Sequence, residues 1–229
     1  MGFHYLDLIS SAFVAVLLIS NVAALKVFTL GGLTFDGGAL IFPLSYIFGD
    51  VLTEVYGYSV SRRVIWQGLF WLVIFNLIMM ICVALPGEKG WETSVGQASF
   101  ARVLGLSPRV AFAGWVGFFW GEFCNSFVLA RLKLLTQGRY LPLRTIGSTI
   151  AGQLVDTGLF CVIAFGGVLP QATLLAYTLT GYFYKVAVEA LMTPVTLWTV
   201  GVLKQREGVD AYDRDTDFNP FRGSGGSAP

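Results

Sequence analysis

The chain contains 229 residues, of which 55% are hydrophobic and only 13% are charged, and its mean hydropathy is +0.69. About a quarter of the residues of a soluble protein are charged, so this composition excludes an ordinary soluble domain. The net charge of +1 creates no strong field that would attract nucleic acid. Because a membrane span takes roughly 20 apolar residues, the length suits about six spans with short connections.

Six apolar segments are predicted to cross the membrane as helices, because lipid offers the backbone no hydrogen-bond partners. They cover residues 6–25, 39–56, 64–85, 109–135, 143–169 and 171–203. The second segment is atypical because Pro43, Gly49, Asp50 and Glu54 lie within it. We therefore expect an all-α membrane bundle of six helices over residues 1–203. Residues 204–229 are poor in apolar side chains and are expected to form a disordered tail.

Basic residues are distributed unequally between the two sides of the predicted bundle. Cytoplasmic loops of membrane proteins carry an excess of Lys and Arg, and the side with both termini has ten such residues against four on the other side. Both termini are therefore expected in the cytoplasm, which agrees with an even number of spans. The ten residues are Arg62, Arg63, Arg131, Lys133, Arg139, Arg144, Lys204, Arg206, Arg214 and Arg222.

Ionisable side chains inside the predicted spans are the strongest functional signal. Each such group costs roughly 2.5–3.5 kcal/mol at a helix centre on an insertion scale, so several together must face one another or a hydrated cavity. Asp50 and Glu54 are four residues apart, so they are expected to share a helix face on which neither has a local partner. Lys185 and Glu189 have the same spacing; they either neutralise each other within the helix or take part in transport. The full set is Asp50, Glu54, Glu122, Asp156, Lys185 and Glu189.

A short pattern, Gly-polar-x-x-polar-polar, occurs at residues 49–54, 121–126 and 152–157. It adds Asn125 and Gln153 to the candidates for substrate binding or proton coupling. A glycine in such a pattern lets a neighbouring helix approach while the polar face points inward. Two three-helix halves, inverted in the membrane as in many secondary transporters, would relate the copies in the second and fifth spans. Chance composition of helix-packing segments explains the pattern equally well.

Three aromatic residues, Phe42, Tyr46 and Tyr182, lie near the carboxylate faces, where they would either stack on a flat ligand or simply pack in the core. Neither a cofactor nor a metal is expected, because His4 is the only histidine and the three cysteines show no paired spacing. The sequence has no phosphate-binding loop and no nucleophile with a matching base. We therefore predict a protein that is not an enzyme and that does not hydrolyse ATP itself.

Several stretches resemble the queuosine precursor transporter family, which is similar to vitamin uptake transporters. The resemblance extends from residue 8 to about residue 203. Its longest motif reads Phe42-Pro43-Leu44-Ser45-Tyr46, followed by Gly49-Asp50-Val51-Leu52-Thr53-Glu54-Val55-Tyr56-Gly57. Other matching positions are Gly121-Glu122-Phe123, Asn125-Ser126, Lys133, Ser148-Thr149, Gly152-Gln153, Asp156, Lys185, Glu189 and Pro194.

The resemblance implies a multi-pass protein of the bacterial inner membrane that imports 7-cyano-7-deazaguanine or 7-aminomethyl-7-deazaguanine for queuosine salvage. A carboxylate suits the guanine-like edge of such a deazapurine, because it can accept from the ring N–H and the exocyclic amine together. The alternatives are a substrate-binding subunit of a larger transporter with ATPase partners in trans, and an ion channel. A homodimer is compatible with these readings, since six short helices enclose little volume.

Overall fold

The computed structural model describes residues 3–30, 33–105 and 107–222, which are mostly helical. A short antiparallel strand pair, β1 (Val27–Leu30) and β2 (Leu33–Asp36), is an addition to the predicted all-α fold. A 3₁₀ turn (Gly37–Leu40) and a π-helical segment (Leu52–Tyr56) flank the second helix. The α-helices are α1 (Leu6–Ala23), α2 (Phe42–Val51), α3 (Tyr58–Ala84), α4 (Lys89–Ser94), α5 (Gln97–Leu104), α6 (Pro108–Leu135), α7 (Leu141–Phe165) and α8 (Gln171–Glu207).

Five helical stretches in the described part of the chain are long and apolar enough to cross a membrane. They are α1, α3, α6 together with the preceding α5, α7 and α8. The predicted count of six helices is not confirmed, because the second predicted span is divided among the 3₁₀ turn, α2 and the π-helical segment. Gly57 ends this segment with a φ of 87°, a conformation that glycine adopts without the steric penalty of a Cβ atom.

Hydrogen bonds show which ends of the helices lie together. The backbone N–H groups of His4 and Tyr5 donate to the Glu207 carboxylate at 3.0 and 2.7 Å, and the Tyr56 hydroxyl donates to it at 2.8 Å. The start of α1, the end of the π-helical segment and the end of α8 therefore share one end of the bundle, which we call the tail end. At the opposite, far end, the Gly37 N–H donates to the Lys26 carbonyl at 2.7 Å.

Glycines bring α6 and α7 into close contact, as the repeated sequence pattern predicted. A Cβ atom on Gly121 would lie 2.5 Å from Asp156 Cβ, and one on Gly152 would lie 2.7 Å from Asn125 Cβ. Gly49 on α2 is also closely approached, since a Cβ atom there would lie 3.0 Å from Glu122 Oε2. Small residues at these positions let the backbones approach and bring the polar faces of the three helices together.

The end of the chain differs from the predicted disordered tail. Helix α8 continues to Glu207, and residues 209–222, which we call the C-terminal strap, lie against α3 and α6. Arg62 donates to the backbone carbonyls of Asp217 and Asn219 at 2.9 and 2.8 Å, and the Arg131 guanidinium lies 4.6 Å from the centre of the Phe218 ring. The Phe218 and Phe221 rings of the strap also pack against aromatic rings of α3 and α6, so polar and aromatic contacts together hold this segment. Residues 223–229 of the predicted tail lie outside the described residues.

Candidate functional site

A cavity of about 420 Å³ lies among α1, α2, α3, α6, α7 and α8. It extends from the middle of the bundle to the far end, where Leu25 and Val110 line it. Its volume is in the range of small-molecule sites in proteins. The wall is largely apolar, with a limited set of residues that carry polar groups: Ser20, Asn21, Tyr46, Asn76, Trp115, Glu122, Asn125, Gln153, Asp156, Thr157, Tyr177, Tyr184 and Lys185.

Five of the eight residues predicted to bind substrate or couple protons line this cavity, namely Glu122, Asn125, Gln153, Asp156 and Lys185. Asp50 is fully buried directly behind the wall, and the side-chain amide of Asn125 donates to Asp50 Oδ1 at 3.0 Å. Glu189, on α8, is also buried. The close glycine contacts explain why polar groups from α2, α6 and α7, which are distant in sequence, meet at this point.

Three of these carboxyl groups have oxygens without a hydrogen-bond donor in the described part of the chain. Asp50 Oδ2, Glu122 Oε2 and both carboxyl oxygens of Glu189 are buried and accept no hydrogen bond there. Transfer of an unpaired carboxylate from water into a protein interior is strongly unfavourable. Such a group is stabilised when it holds a proton, or when a donor from water or from a bound solute reaches it.

Lys185 pairs with a different carboxylate from the one suggested by its spacing. Its Nζ lies 2.8 Å from Asp156 Oδ2 on α7, and the two side chains are 24% and 16% exposed. The interpretation of Lys185 and Glu189 as an intrahelical pair is therefore wrong. A spacing of four residues places two side chains on one helix face, but it does not prevent a long side chain from reaching across to a neighbouring helix.

The sequence predicted that Glu54 and Asp50 share a helix face without a local partner, and the structure supplies Glu54 with cations from three other helices. Arg144 donates to both Glu54 carboxylate oxygens at 2.6 and 3.2 Å, Lys204 donates to Oε1 at 2.7 Å, and Lys133 Nζ lies 3.3 Å from the same oxygen. The π-helical segment that carries Glu54 begins between the two acidic residues. Cations of α6, α7 and α8 distinguish the surroundings of Glu54 from those of Asp50.

Asp210 of the C-terminal strap extends this ionic network. Its Oδ1 lies 2.5 Å from Lys133 Nζ and 2.8 Å from Lys204 Nζ. Burial raises the pKa of the Asp210 carboxyl, but the hydrogen bonds from Lys133 and Lys204 outweigh burial and lower the pKa below its usual value. We call Glu54, Lys133, Arg144, Lys204 and Asp210 the tail-end charge cluster. The sequence interpretation assigned its three cations to topology because they lie near span ends, and it missed their role as partners of Glu54.

A set of three buried hydroxyl groups lies between the tail-end charge cluster and the cavity. The Thr53, Ser61 and Ser126 hydroxyl oxygens lie 3.0 to 3.1 Å from one another. Thr53 directly precedes Glu54, and Ser126 directly follows Asn125 of the cavity wall. These hydroxyls satisfy one another, so this part of the interior is polar but needs no ligand to complete its hydrogen bonds.

The aromatic predictions have different outcomes in the structure. Tyr46 lines the cavity, whereas the Tyr182 hydroxyl donates to the Ile150 carbonyl at 3.3 Å and its ring is not part of the cavity wall. The side chain of Phe42 lies outside the described residues. The wall instead includes Trp115 and Tyr184, which sequence reasoning missed. A signal for Trp115 was present, since it lies seven residues, or two helical turns, before Glu122 on the same face of α6.

Comparison with known proteins shows which protein family this chain belongs to. Residues 36–199 match the family described as "Putative vitamin uptake transporter". The match covers most of the helical bundle, and the chain belongs to this family. It is therefore a multi-pass membrane transporter of a small molecule, and not an enzyme.

A curated relative narrows the comparison further. The chain is 28% identical over 177 residues to the "Probable queuosine precursor transporter" of Bacillus subtilis (strain 168), and the alignment covers 76% of each chain. The relative and the family agree on a transport function. No solved structure gives a significant match to this chain.

Proposed function

We propose that this chain imports a queuosine precursor, 7-cyano-7-deazaguanine or 7-aminomethyl-7-deazaguanine, across the bacterial inner membrane. The observation that carries the proposal is the Glu122 carboxyl, which lines the cavity with an oxygen that accepts no hydrogen bond in the described part of the chain. The guanine-like edge of these bases has a ring N–H beside an exocyclic amine. A carboxylate can accept both, and such charge-assisted pairs are stronger than neutral ones.

Residues near Glu122 supply the other contacts to the base and the coupling proton in this proposal. Gln153, beside Glu122 in the cavity wall, offers an amide to the base, and Tyr46 offers a ring face for stacking. Asp50 and Glu189 are buried with unpaired oxygens, but they are not part of the cavity wall. We assign these two carboxyls to the coupling proton, so that uptake is driven by the proton gradient.

The proposed topology has six crossings and places both termini in the cytoplasm. The segment 37–56 begins beside Lys26 at the far end and ends beside Glu207 at the tail end, so it supplies the sixth crossing without being one continuous helix. Most of the basic residues outside the helix centres belong to the tail end, which suits the cytoplasmic side. The two inverted halves would then be α1 to α3 and α6 to α8.

In this orientation the structure corresponds to an outward-facing state. The cavity extends toward the far, periplasmic end, and the tail-end charge cluster and the C-terminal strap lie between it and the cytoplasm. Release of a solute into the cytoplasm would require the ion pairs of Glu54 to open. Alternation between two such states is the general mechanism of secondary transporters.

A queuosine salvage assay tests the proposal. The chain is expressed in bacteria that lack both precursor synthesis and their own precursor transporter, and queuosine in transfer RNA is measured at nanomolar external base. We expect the wild-type chain to restore queuosine and the Glu122→Gln variant, at equal abundance in the membrane, to fail. Full restoration by Glu122→Gln would exclude Glu122 as the group that reads the base.

Purified protein separates the proposal from the alternative of a subunit that needs ATPase partners in trans. In proteoliposomes without any ATPase, a proton gradient should drive accumulation of the base, and an uncoupler should stop it. Accumulation only after an ATPase is added would favour the alternative. The mass of the detergent-solubilised protein, measured by light scattering, tests in the same preparation whether the chain forms a homodimer.

A further inference from the structure

Two polar side chains of the cavity wall have no part in the roles proposed so far. Asn76 on α3 is 3% exposed, and Trp115 on α6 is half-buried. Asn76 Oδ1 and Trp115 Nε1 are both buried without a hydrogen-bond partner in the described residues. Buried polar atoms are nearly always paired in folded proteins, so this part of the wall is suited to pairing with groups of a bound solute.

The two side chains belong to the far half of the cavity. Trp115 lies seven residues before Glu122 on α6, which corresponds to about 10 Å along the helix toward the far end. Trp115 also lines a second, smaller cleft together with Leu69 and Val73 of α3. Val73 lies one helical turn before Asn76, so the Trp115 ring and the Asn76 amide are neighbours across the contact between α3 and α6.

We propose that Asn76 and Trp115 form a subsite for the substituent at position 7 of the base, and that they set the preference between its two forms. This inference rests on the proposed function, in which Glu122 holds the opposite, guanine-like edge. The separation of the two groups along α6 suits a bicyclic base that lies lengthwise in the cavity.

The hydrogen-bonding properties of the two side chains explain the preference. An indole N–H is only a donor, whereas an amide oxygen is an acceptor. The nitrile nitrogen of the cyano form is only an acceptor, so it pairs with Trp115 Nε1. The protonated aminomethyl group is only a donor, so it pairs with Asn76 Oδ1. Each residue therefore favours a different form of the same base.

Two conservative variants test the subsite in the salvage strain, with both bases supplied in competition. Trp115→Phe keeps an aromatic ring and removes the N–H group, and we expect it to lower uptake of the cyano form about five- to tenfold while uptake of the aminomethyl form stays within about twofold. Asn76→Leu is close in volume and removes the acceptor. We expect it to lower uptake of the aminomethyl form by about tenfold or more.

The ratio of the two uptake rates is the readout, because a general loss of folded protein lowers both rates equally and leaves their ratio unchanged. Opposite shifts of this ratio in the two variants would support the subsite. Normal wild-type uptake with an unchanged ratio in both variants would overturn the subsite alone. No uptake of either base by the wild-type chain would overturn the proposed function and the subsite with it. Asn76→Ala provides the same measurement if Asn76→Leu does not reach the membrane.

Discussion

The central cavity and the tail-end charge cluster both bury ionisable groups inside a membrane protein, but they neutralise these groups in different ways. In the cluster, Glu54 forms ion pairs with Lys133, Arg144 and Lys204, so each charge has partners of opposite sign. Around the cavity, Glu122 and Glu189 form no ion pair in the described part of the chain. The cluster pairs its acidic groups with cations, whereas the cavity region leaves carboxyl oxygens available to a proton or to a donor group of a solute.

The difference separates a structural role from a binding role for chemically identical side chains. A buried ion network holds helices together when all its members are present, and removal of one member leaves the others uncompensated. Unpaired carboxyls contribute little to stability, but they bind a proton or a hydrogen-bond donor of a solute favourably, because either one compensates the buried charge. We therefore expect variants in the cluster to act mainly on stability and variants around the cavity to act mainly on transport.

The largest expected effect is that of Glu54→Gln on stability. The neutral amide leaves Lys133, Arg144 and Lys204 without their shared carboxylate, so we expect a loss of about 3–5 kcal/mol in the free energy of unfolding. Unfolding in mixed detergent micelles, followed by circular dichroism, measures this loss. Glu189→Gln is the matched control and should change stability by less than about 1 kcal/mol, because Glu189 forms no ion pair in the described part of the chain and its substitution leaves no cation uncompensated. Equal losses in the two variants would contradict the comparison.

Asp50→Asn tests the expectation that variants around the cavity act mainly on transport. The variant keeps the volume of the side chain and an oxygen that can accept from Asn125, but it cannot carry a proton. We expect proton-driven uptake to fall about 100-fold, which is within the range of losses for a missing general acid or base. Uptake into proteoliposomes with an imposed pH gradient gives the rate, and normal concentrative uptake by the variant would remove Asp50 from the proposed pathway.

A double-mutant cycle tests the partner of Lys185. Because Lys185 Nζ lies 2.8 Å from Asp156 Oδ2, the variants Lys185→Met and Asp156→Asn should be coupled by about 1 kcal/mol in stability. The same cycle with Glu189→Gln in place of Asp156→Asn should give a coupling below about 0.5 kcal/mol. A larger coupling with Glu189 would restore the intrahelical pair that the sequence suggested.

The smallest expected effect is that of pH on the C-terminal strap. The pKa of Asp210 is lowered in the folded protein, so its contribution to docking is present above its unfolded value of about 3.9 and is lost as the pH falls through its lower folded value. The protection factors of the amides in residues 209–222, which correct for the slower intrinsic exchange at low pH, should therefore fall at low pH in the wild type. Asp210→Asn should show the lowered protection factors already at pH 7, whereas the exposed Asp215→Asn should not. Identical exchange in all three chains would show that Asp210 does not hold the strap.

Sequence reasoning located the long helices well. The predicted spans 109–135 and 171–203 correspond to α6 (Pro108–Leu135) and to most of α8 (Gln171–Glu207). Long apolar runs are a local property of the chain, and the bilayer sets the length that they need. The segment around Asp50 was harder to predict because its 3₁₀ and π-helical turns depend on hydrogen bonds that neighbouring helices support.

The sequence predicted most of the polar residues that line the cavity, but it did not predict which side chains pair with one another. Glu122, Asn125, Gln153, Asp156 and Lys185 were identified from polarity within apolar spans, and the structure brings all five to one cavity. Their partners were assigned from spacing along one helix, which fails when a side chain from another helix lies closer. For the same reason, the sequence did not predict that Lys133, Arg144 and Lys204 form ion pairs with Glu54.

Hydrophobic runs and the distribution of basic residues were sufficient to predict a multi-pass helical protein with polar residues in its interior. Both are sums over residues along the chain and need no knowledge of neighbours in space. Folding decided which carboxyls are paired with cations and which remain available, because ion pairs form between faces of helices that are far apart in sequence. Glu54 and Glu122 are the same residue type within apolar stretches of the sequence. Only the helices packed against each of them make the first a structural group and the second a candidate binding group.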